Sequence, residues 1–338
     1  MIMIEEKTGF QSELLFNRLA KRYRHLKKWA RRTGTNAFRL YDRDIPEIPL
    51  VLDLYGDAVS GAVYKKHMGL QQGENEAGQD EIWLRAMKTA AAKALEIPES
   101  RIFIKERQRM RNRQKTGNQY HKINDKSFYR DVIERDLKFR VNLSNYLDTG
   151  LFLDARKKRA LFRLESEGKR VLNLFAYTCS LSVASAKGGA RQVDSVDLSN
   201  TYLEWGKVNY ALNGLPLSDK FSFVRSDVIQ FINQAILRKN RWDIIILDPP
   251  SFSNSKKMPE TLDIRRDYRN LIGKSLTLLS PGGTLYFSTS AKGFRFQNED
   301  FPGFIIKDLR TSLVDEDYKE RRIPACYAFS QVTYHRSN

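Results

Sequence analysis

Four apolar runs between residues 169 and 250 each close on polar residues. The run RVLNL leads into Asn173 and the stretch FAYTCS, QVDSV closes on Asp197 within VDLS, FSFVR closes on Asp227 within RSD, and WDIIIL closes on Asp248, with Pro249 and Pro250 directly behind it. An acid that ends the second of such runs is well placed to take both hydroxyls of a ribose. Asp-Pro-Pro makes a rigid corner with one negative charge at its tip, because proline fixes φ and removes a backbone donor. Any one of these acids could instead be a helix N-cap, a position that Asp and Ser favour. For Asp227 the two readings weigh equally, whereas Asp197 and Asp248 recur at the same topological edge and are harder to dismiss as caps.

The nucleotide chemistry can be narrowed. No G-x-G-x-x-G follows the first run and no G-x-x-x-x-G-K-[ST] occurs, which argues against a dinucleotide dehydrogenase and a P-loop NTPase. A cofactor with an adenosine and no pyrophosphate needs neither motif, and S-adenosylmethionine is such a cofactor.

The elements that must position these residues follow from periodicity. From 169 onward, strand-like runs rich in Val, Ile and Phe alternate with the helical stretches LSVASAKGG, NTYLEWGKVNYALNGL and VIQFINQAILRKN. A long helix over 263–279, a turn at SPGG and a fifth strand at TLYFSTS follow. This rhythm predicts a parallel sheet with helices on both faces, whose ligands bind beyond the carboxyl ends of the strands. Upstream, Leu14, Leu15, Leu19, Tyr23, Leu26 and Trp29 predict a helix over 10–33, stopped by Gly34. Residues 37–143 read as a small α+β domain, with a helix over 80–96 that turns Ile82, Ala86, Ala90 and Leu95 inward. A basic loop over 107–126 is expected to project from a hairpin. The expected division is a basic helix over 1–36, the small domain over 37–143 and a catalytic domain over 144–338.

Charge points to the partner. Lys and Arg number 58 against 40 acids, for a net charge of +18. A soluble basic protein would mix its signs, but KRYRHLKKWARR (21–32) carries seven cations and no acid, and KERQRMRNRQKTGNQYHK (105–122) interleaves Arg with amides. Amides and arginines suit phosphate and base-edge contacts, so a polyanion is the expected partner. The second run offers no broad apolar face for a membrane surface. No apolar run nears the roughly 20 residues needed to span a bilayer, and no secretory signal is legible at the N-terminus. Two cysteines suit a reducing cytoplasm and exclude a cysteine zinc cage, and the four histidines lack ligand spacing, so no metal is expected.

Several longer motifs carry a resemblance: LYDRDIPE, KTGNQY, VNLSNYLDTGLFLDAR, LNLFAYTCSLSVASAKGGA, VDLSNTYLEWGKVNYALNG, DPPSFSNSKKM and KGFRF. Over nearly its whole length the chain resembles the class I S-adenosylmethionine-dependent rRNA methyltransferases. Among these it is similar to the RlmK-like guanine-N7 enzymes that form the C-terminal half of the bifunctional RlmKL of bacteria. The resemblance implies a Rossmann-like α/β fold with a seven-stranded sheet, preceded by the smaller α+β RNA-binding domain. It implies methylation of a guanine N7 in 23S rRNA, with 23S rRNA or its assembly intermediates as partner and a separate guanine-N2 methyltransferase as a candidate second partner.

Carried over residue by residue, the resemblance assigns the cofactor loop to Asn173, Phe175, Ala176, Tyr177, Thr178, Cys179 and Ser180. Asp197, with Leu198 and Ser199, would hold the ribose, and Asp227 the adenine amino group, with Val228 packed on the ring. Asp154 and Arg156 would contact the amino and carboxylate ends of the methionine. Cys179 departs from the glycine that many relatives carry, and it reads best as a small buried hydrophobe. Asp248, Pro249, Pro250 and Phe252 would meet the base, with Asp248 also bordering the cofactor. Arg107, Arg109, Arg111, Arg113, Lys115, Lys256, Lys257, Lys292 and Arg295 would meet RNA.

Other chemistries compete. A 5-methylcytosine enzyme needs a cysteine nucleophile, which neither DPPSF nor STSAKGF supplies; Cys326 in IPACYAF reads as core. Methylation of an exocyclic amine, guanine N2 or adenine N6, is the nearer alternative. A non-catalytic RNA-binding assembly factor is the alternative of another class, and the acids at the strand ends argue against it.

Overall fold

The computed structural model describes residues 2–63, 76–106, 127–253, 261–319 and 324–331. The chain divides into two compact units, Met1–Thr149 and Gly150–Asn338.

In the first unit, α1 (Ile2–Thr33) begins eight residues ahead of the predicted helix start at residue 10. Its stripe of Leu15, Leu19, Leu26 and Trp29 is buried, with Leu14 and Tyr23 packed beside it, as three-to-four spacing dictates. Strands β1 (Ala37–Asp42), β2 (Leu50–Tyr55), β3 (Ala58–Val63) and β4 (Ile102–Glu106) form a sheet in sequence order. The first two pairings are antiparallel, and β3 pairs β4 in parallel across a connection that contains α2 (Glu76–Leu95). The helix expected over 1–36 thus packs into the same hydrophobic core as this sheet.

The buried face of α2 holds Ala90 and Leu95 as expected, with Ala86 packed beside them, but not Ile82. Ile82 is 54% exposed, while Trp83, Met87, Ala90, Ala91 and Leu95 are buried. Trp83, one residue on, is buried where Ile82 was expected, and Met87 and Ala91 complete the stripe. Trp83 can be buried because its indole N–H donates to Gln11 Oε1 at 2.7 Å. Strands β5 (Tyr129–Glu134) and β6 (Leu137–Asn142) form a separate antiparallel hairpin. Since β4 ends one sheet and β5 opens another, the basic segment between them does not join two paired strands. That segment, with Arg107, Arg109, Arg111, Arg113 and Lys115, lies outside the described residues.

The second unit opens with a 3-10 turn (Leu153–Ala155) and α3 (Arg156–Glu165). Then β7 (Arg170–Leu174), α4 (Ser180–Lys187), β8 (Gln192–Asp197), α5 (Asn200–Leu212), β9 (Phe221–Arg225), α6 (Val228–Leu237) and β10 (Trp242–Leu247) alternate. A small pair, β11 (Phe252–Ser253) and β12 (Leu262–Asp263), leads to α7 (Ile264–Leu276), β13 (Leu279–Thr289), β14 (Phe304–Asp308) and β15 (Ala325–Gln331). The sheet has the expected seven strands, in the order β14-β15-β13-β10-β7-β8-β9. Strand β15 runs antiparallel to both of its neighbours, and the pairings among the other strands are parallel. SPGG, expected as a turn ahead of the fifth strand, lies within the first part of β13. Its residues are absorbed by an irregularity between the Trp242–Leu279 and Ile244–Thr284 pairs.

The central strands are Val, Ile and Leu runs because helices cover both of their faces. The chain winds outward from β7 to β9 and returns to β10 on the other side of β7. That reversal opens a crevice at the carboxyl ends of β7 and β10, where ligands of such sheets bind.

Candidate functional site

The loop after β7 is built on three left-handed residues that are not glycine: Phe175 (φ 60°), Tyr177 (φ 51°) and Cys179 (φ 60°). An L-residue at such φ costs about 1–2 kcal/mol, so three in one loop mark a backbone held by its surroundings. Several bonds hold it. Ala176 N–H donates to Val196 O at 3.0 Å and Cys179 N–H to Ala176 O at 2.8 Å. The Thr178 hydroxyl donates to Gly150 O at 2.6 Å, and Asn209 Nδ2 donates to Thr178 O at 2.9 Å.

The loop is also tied to Asp197, at the end of β8. Tyr177 N–H donates to Asp197 Oδ2 and Ser199 N–H to Asp197 Oδ1, both at 2.8 Å. Burial pushes the Asp197 carboxyl up to about 6, against the pull of backbone N–H groups at Ser199, Tyr177 and Leu198. It is a half-buried carboxylate oriented by backbone N–H groups, and the two hydroxyls of a ribose would be further donors to it. A loop without a pyrophosphate cradle beside such an acid fits S-adenosylmethionine.

The other predicted cofactor residues divide by role. Asn173 is buried; its amide donates to Ser182 Oγ at 2.8 Å and Ser182 also takes the Ser195 hydroxyl, so Asn173 braces the loop from within. Ala176, Thr178 and Cys179 are buried, and Phe175, Tyr177, Ser180, Leu198 and Ser199 are half-buried. Tyr177 lies between two aromatic neighbours, with ring centroids 5.1 Å from Phe152 and 4.4 Å from Tyr202. Ser199 caps α5 and Asp227 caps α6, accepting from Gln230 N–H at 3.0 Å. Capping uses one carboxylate oxygen of Asp227 and leaves the other for a ligand. Val228 is buried in the core cluster with Ile232 and Leu247.

The Asp-Pro-Pro corner stands at the carboxyl end of β10. Pro249 is buried, and Asp248, Pro250 and Phe252 are half-buried. Asp248 is already paired there. Lys158, on α3, donates from Nζ to Asp248 Oδ2 at 2.7 Å and to Ser288 Oγ at 3.1 Å. The lysine side chain is only 7% exposed. Burial works against its charge, but the surrounding negative groups, the Asp248 carboxylate foremost, together hold the ammonium above its ordinary value. Sequence reasoning missed Lys158 and Ser288. Within the run RKKR, Arg156, Lys158 and Arg159 are all buried.

Arg156, expected at the methionine end of the cofactor, already has partners within the chain. Its guanidinium is committed to its own chain, 2.9 Å from both Asp315 and Asp317, and Asp317 has a fully buried side chain. The arginine is therefore neutralised before any ligand carboxylate arrives. Asp154, in the turn just ahead, remains half-buried.

Of the predicted RNA contacts, Lys292 and Arg295 are exposed in the loop after β13, while Lys256 and Lys257 lie outside the described residues. The KGFRF stretch explains this exposure. Phe294 and Phe296 anchor inward, with ring centroids 5.1 Å and 6.1 Å from Tyr268, and leave the cations outside. Both cysteines are buried, and burial pushes the Cys179 thiol up and the Cys326 thiol up to about 12. Among the described residues no helix is long and apolar enough to cross a membrane.

Comparison with known proteins adds to this geometry. A family-wide sequence profile described as S-adenosylmethionine-dependent methyltransferase matches residues 84–300. The ribosomal RNA large subunit methyltransferase K of Neisseria meningitidis serogroup B is 41% identical over 92% of this chain and 85% of that protein. The ribosomal RNA large subunit methyltransferase K/L of Shewanella sp. strain MR-4 is 40% identical over 90% of this chain, which spans only 42% of that protein. Among solved structures, a methyltransferase crystallised with SAH superposes with a TM-score of 0.70 at 24% identity, covering 94% of this chain and 81% of that one. At that identity the likeness speaks for the fold.

Proposed function

The chain belongs to the S-adenosylmethionine-dependent methyltransferases, in the family of the ribosomal RNA large subunit methyltransferase K, and from that membership we propose that it methylates a guanine N7 in 23S rRNA. The observation that carries this reading is the meeting of two acids at one sheet edge. Asp197 closes β8 beside the strained loop, and Asp248 closes β10 on a proline corner. The first would face the ribose of the cofactor and the second the target base.

The cofactor supplies an electrophilic methyl group on a sulfonium sulfur. The chain's part is alignment. Guanine N7 presents an in-plane lone pair and carries no proton, so no residue has to act as a base. Pro249 and Pro250 hold the corner rigid, and the Asp248 carboxylate can offset positive charge growing on the purine. Asp197 and the second oxygen of Asp227 would orient the adenosine, and Asp154 the methionine amine.

Two observations bear on the alternatives. Thiols held protonated and buried do not suit cytosine C5 chemistry, which needs an accessible thiolate nucleophile. Methylation of an exocyclic amine would use the same corner, and is set apart by product. RNA would be held by the acid-free face of α1, by Lys292 and Arg295, and by the basic segments around 107–115 and 256–257. The setting is the cytoplasm, where 23S rRNA is assembled. Mass spectrometry of nucleosides from 23S rRNA, with and without the gene, tests the reading. The expected result is one 7-methylguanosine that disappears with the gene. Loss of an N2- or N6-methylated nucleoside instead would move the reaction to an amine.

A further inference from the structure

We propose that Lys158 is a positioning residue for this reaction, one that fixes the Asp248 carboxylate and supplies its countercharge. The proposal rests on the reading of Asp248 as the group that faces the base.

Lysine is almost never fully buried unless it is paired. Lys158 is buried, and its two hydrogen bonds go to the carboxyl ends of neighbouring parallel strands, Asp248 behind β10 and Ser288 in β13. The ammonium therefore bridges the two strands beneath the corner. It engages Asp248 Oδ2, which leaves Oδ1 as the oxygen the corner can present. Asp154, in the turn ahead of α3, adds to the field that favours the charged lysine.

The pairing has a consequence for selectivity. On its Hoogsteen edge guanine shows two acceptors, N7 and O6. A bare carboxylate would repel that edge and favour an amine, which donates. A carboxylate balanced by an ammonium repels it less. The Lys158–Asp248 pair thus turns a corner suited to an exocyclic amine into one that tolerates an acceptor edge. The charge that Asp248 offers the transition state is correspondingly an oriented ion pair in place of a lone anion.

The test is a double-mutant cycle on the full chain, with Lys158→Met, Asp248→Asn and the double variant. Single-turnover methyl transfer is measured on 23S rRNA from a strain lacking the gene, at saturating cofactor, with cofactor affinity measured by calorimetry. Each single variant should slow the step by about 10–100-fold, the scale on which a small misplacement is felt. The double variant should be no slower than the slower single, and cofactor affinity should stay at the wild-type value. A wild-type rate in Lys158→Met, with Asp248→Asn slow, would make the lysine a bystander. Multiplying losses in the double variant would show that Lys158 acts apart from Asp248, and a loss of cofactor affinity would move it into the cofactor site. A wild-type rate in Asp248→Asn would overturn the base-facing role of the aspartate itself. If Lys158→Met does not fold, Ser288→Ala removes the other partner of the ammonium. Its smaller slowing should vanish in the Asp248→Asn background, and persistence there would refute the coupling.

Discussion

A Cβ added at Gly206, on α5, would lie 2.5 Å from Sγ of Cys179, which sits at the start of α4. The thiol thus fills the space that a side chain at 206 would need. Glycine inside a helix normally costs about 1 kcal/mol relative to alanine, so its presence here is explained by the contact. Gly206→Ala should destabilise the protein by about 1–3 kcal/mol, the usual cost of overpacking. Cys179→Gly removes the obstacle and suits a left-handed φ of 60°. The double variant should regain wild-type stability in chemical denaturation. A Gly206→Ala single variant as stable as wild type would show that the helix shifts to make room.

The Asp197 carboxyl, raised to about 6, makes cofactor affinity pH-dependent. The ionised form accepts from the ribose hydroxyls, so affinity should fall as pH drops through about 6 and level off above it. Asp197→Ala should weaken binding by about 1.5–3 kcal/mol at neutral pH, the worth of hydrogen bonds to a charged group, and should remove that pH dependence. In the cofactor-free protein the sign reverses. The fold prefers the neutral acid, so its contribution to stability is fully present below the ordinary carboxyl range and lost as pH rises through about 6. Calorimetric titration across this range checks both signs.

Arg156 is expected to hold the fold together more than the cofactor. Arg156→Met would leave Asp315 and Asp317 without their guanidinium, and stranding a buried charge costs about 3–5 kcal/mol. Adding Asp317→Asn should recover part of that loss. Cofactor affinity of the folded double variant should remain close to wild type. A large loss of affinity there would return Arg156 to the ligand.

The exposed face of α1 is predicted to meet phosphate. Lys21, Arg24 and Lys28 lie three to four residues apart and are all exposed. Changing the three to glutamine should weaken RNA binding and flatten its salt dependence by about 0.7 for each phosphate no longer neutralised. Cofactor affinity should not change. An unaltered salt slope would make this face merely solvated.

The sequence alone determined much of the catalytic unit. Its strands are short runs rich in Val, Ile, Leu and Phe, helical stretches alternate with them, and each of the first four runs closes on polar residues. Those are local signals, and strand–helix alternation admits few topologies, so Asp197 and Asp248 could be placed at the carboxyl ends of β8 and β10 without coordinates. The charge runs pointed to a polyanion for the same reason, since composition is visible residue by residue. What only the tertiary structure decided is which charges are neutralised inside. Lys158 pairs with Asp248, 90 residues away, and Arg156 with Asp315 and Asp317, 159 and 161 residues away. In the sequence these cations sit in one short basic run, RKKR, and nothing local marks which of them are buried. A cation is tolerated in the interior where the fold brings it hydrogen-bond partners, here carboxylates for Lys158 and Arg156, and no local pattern encodes that meeting. The burial of Trp83 in place of Ile82 and the fit of Cys179 against Gly206 have the same origin. Both are settled by packing between elements, where a single residue of phase or a few tenths of an ångström decides the outcome.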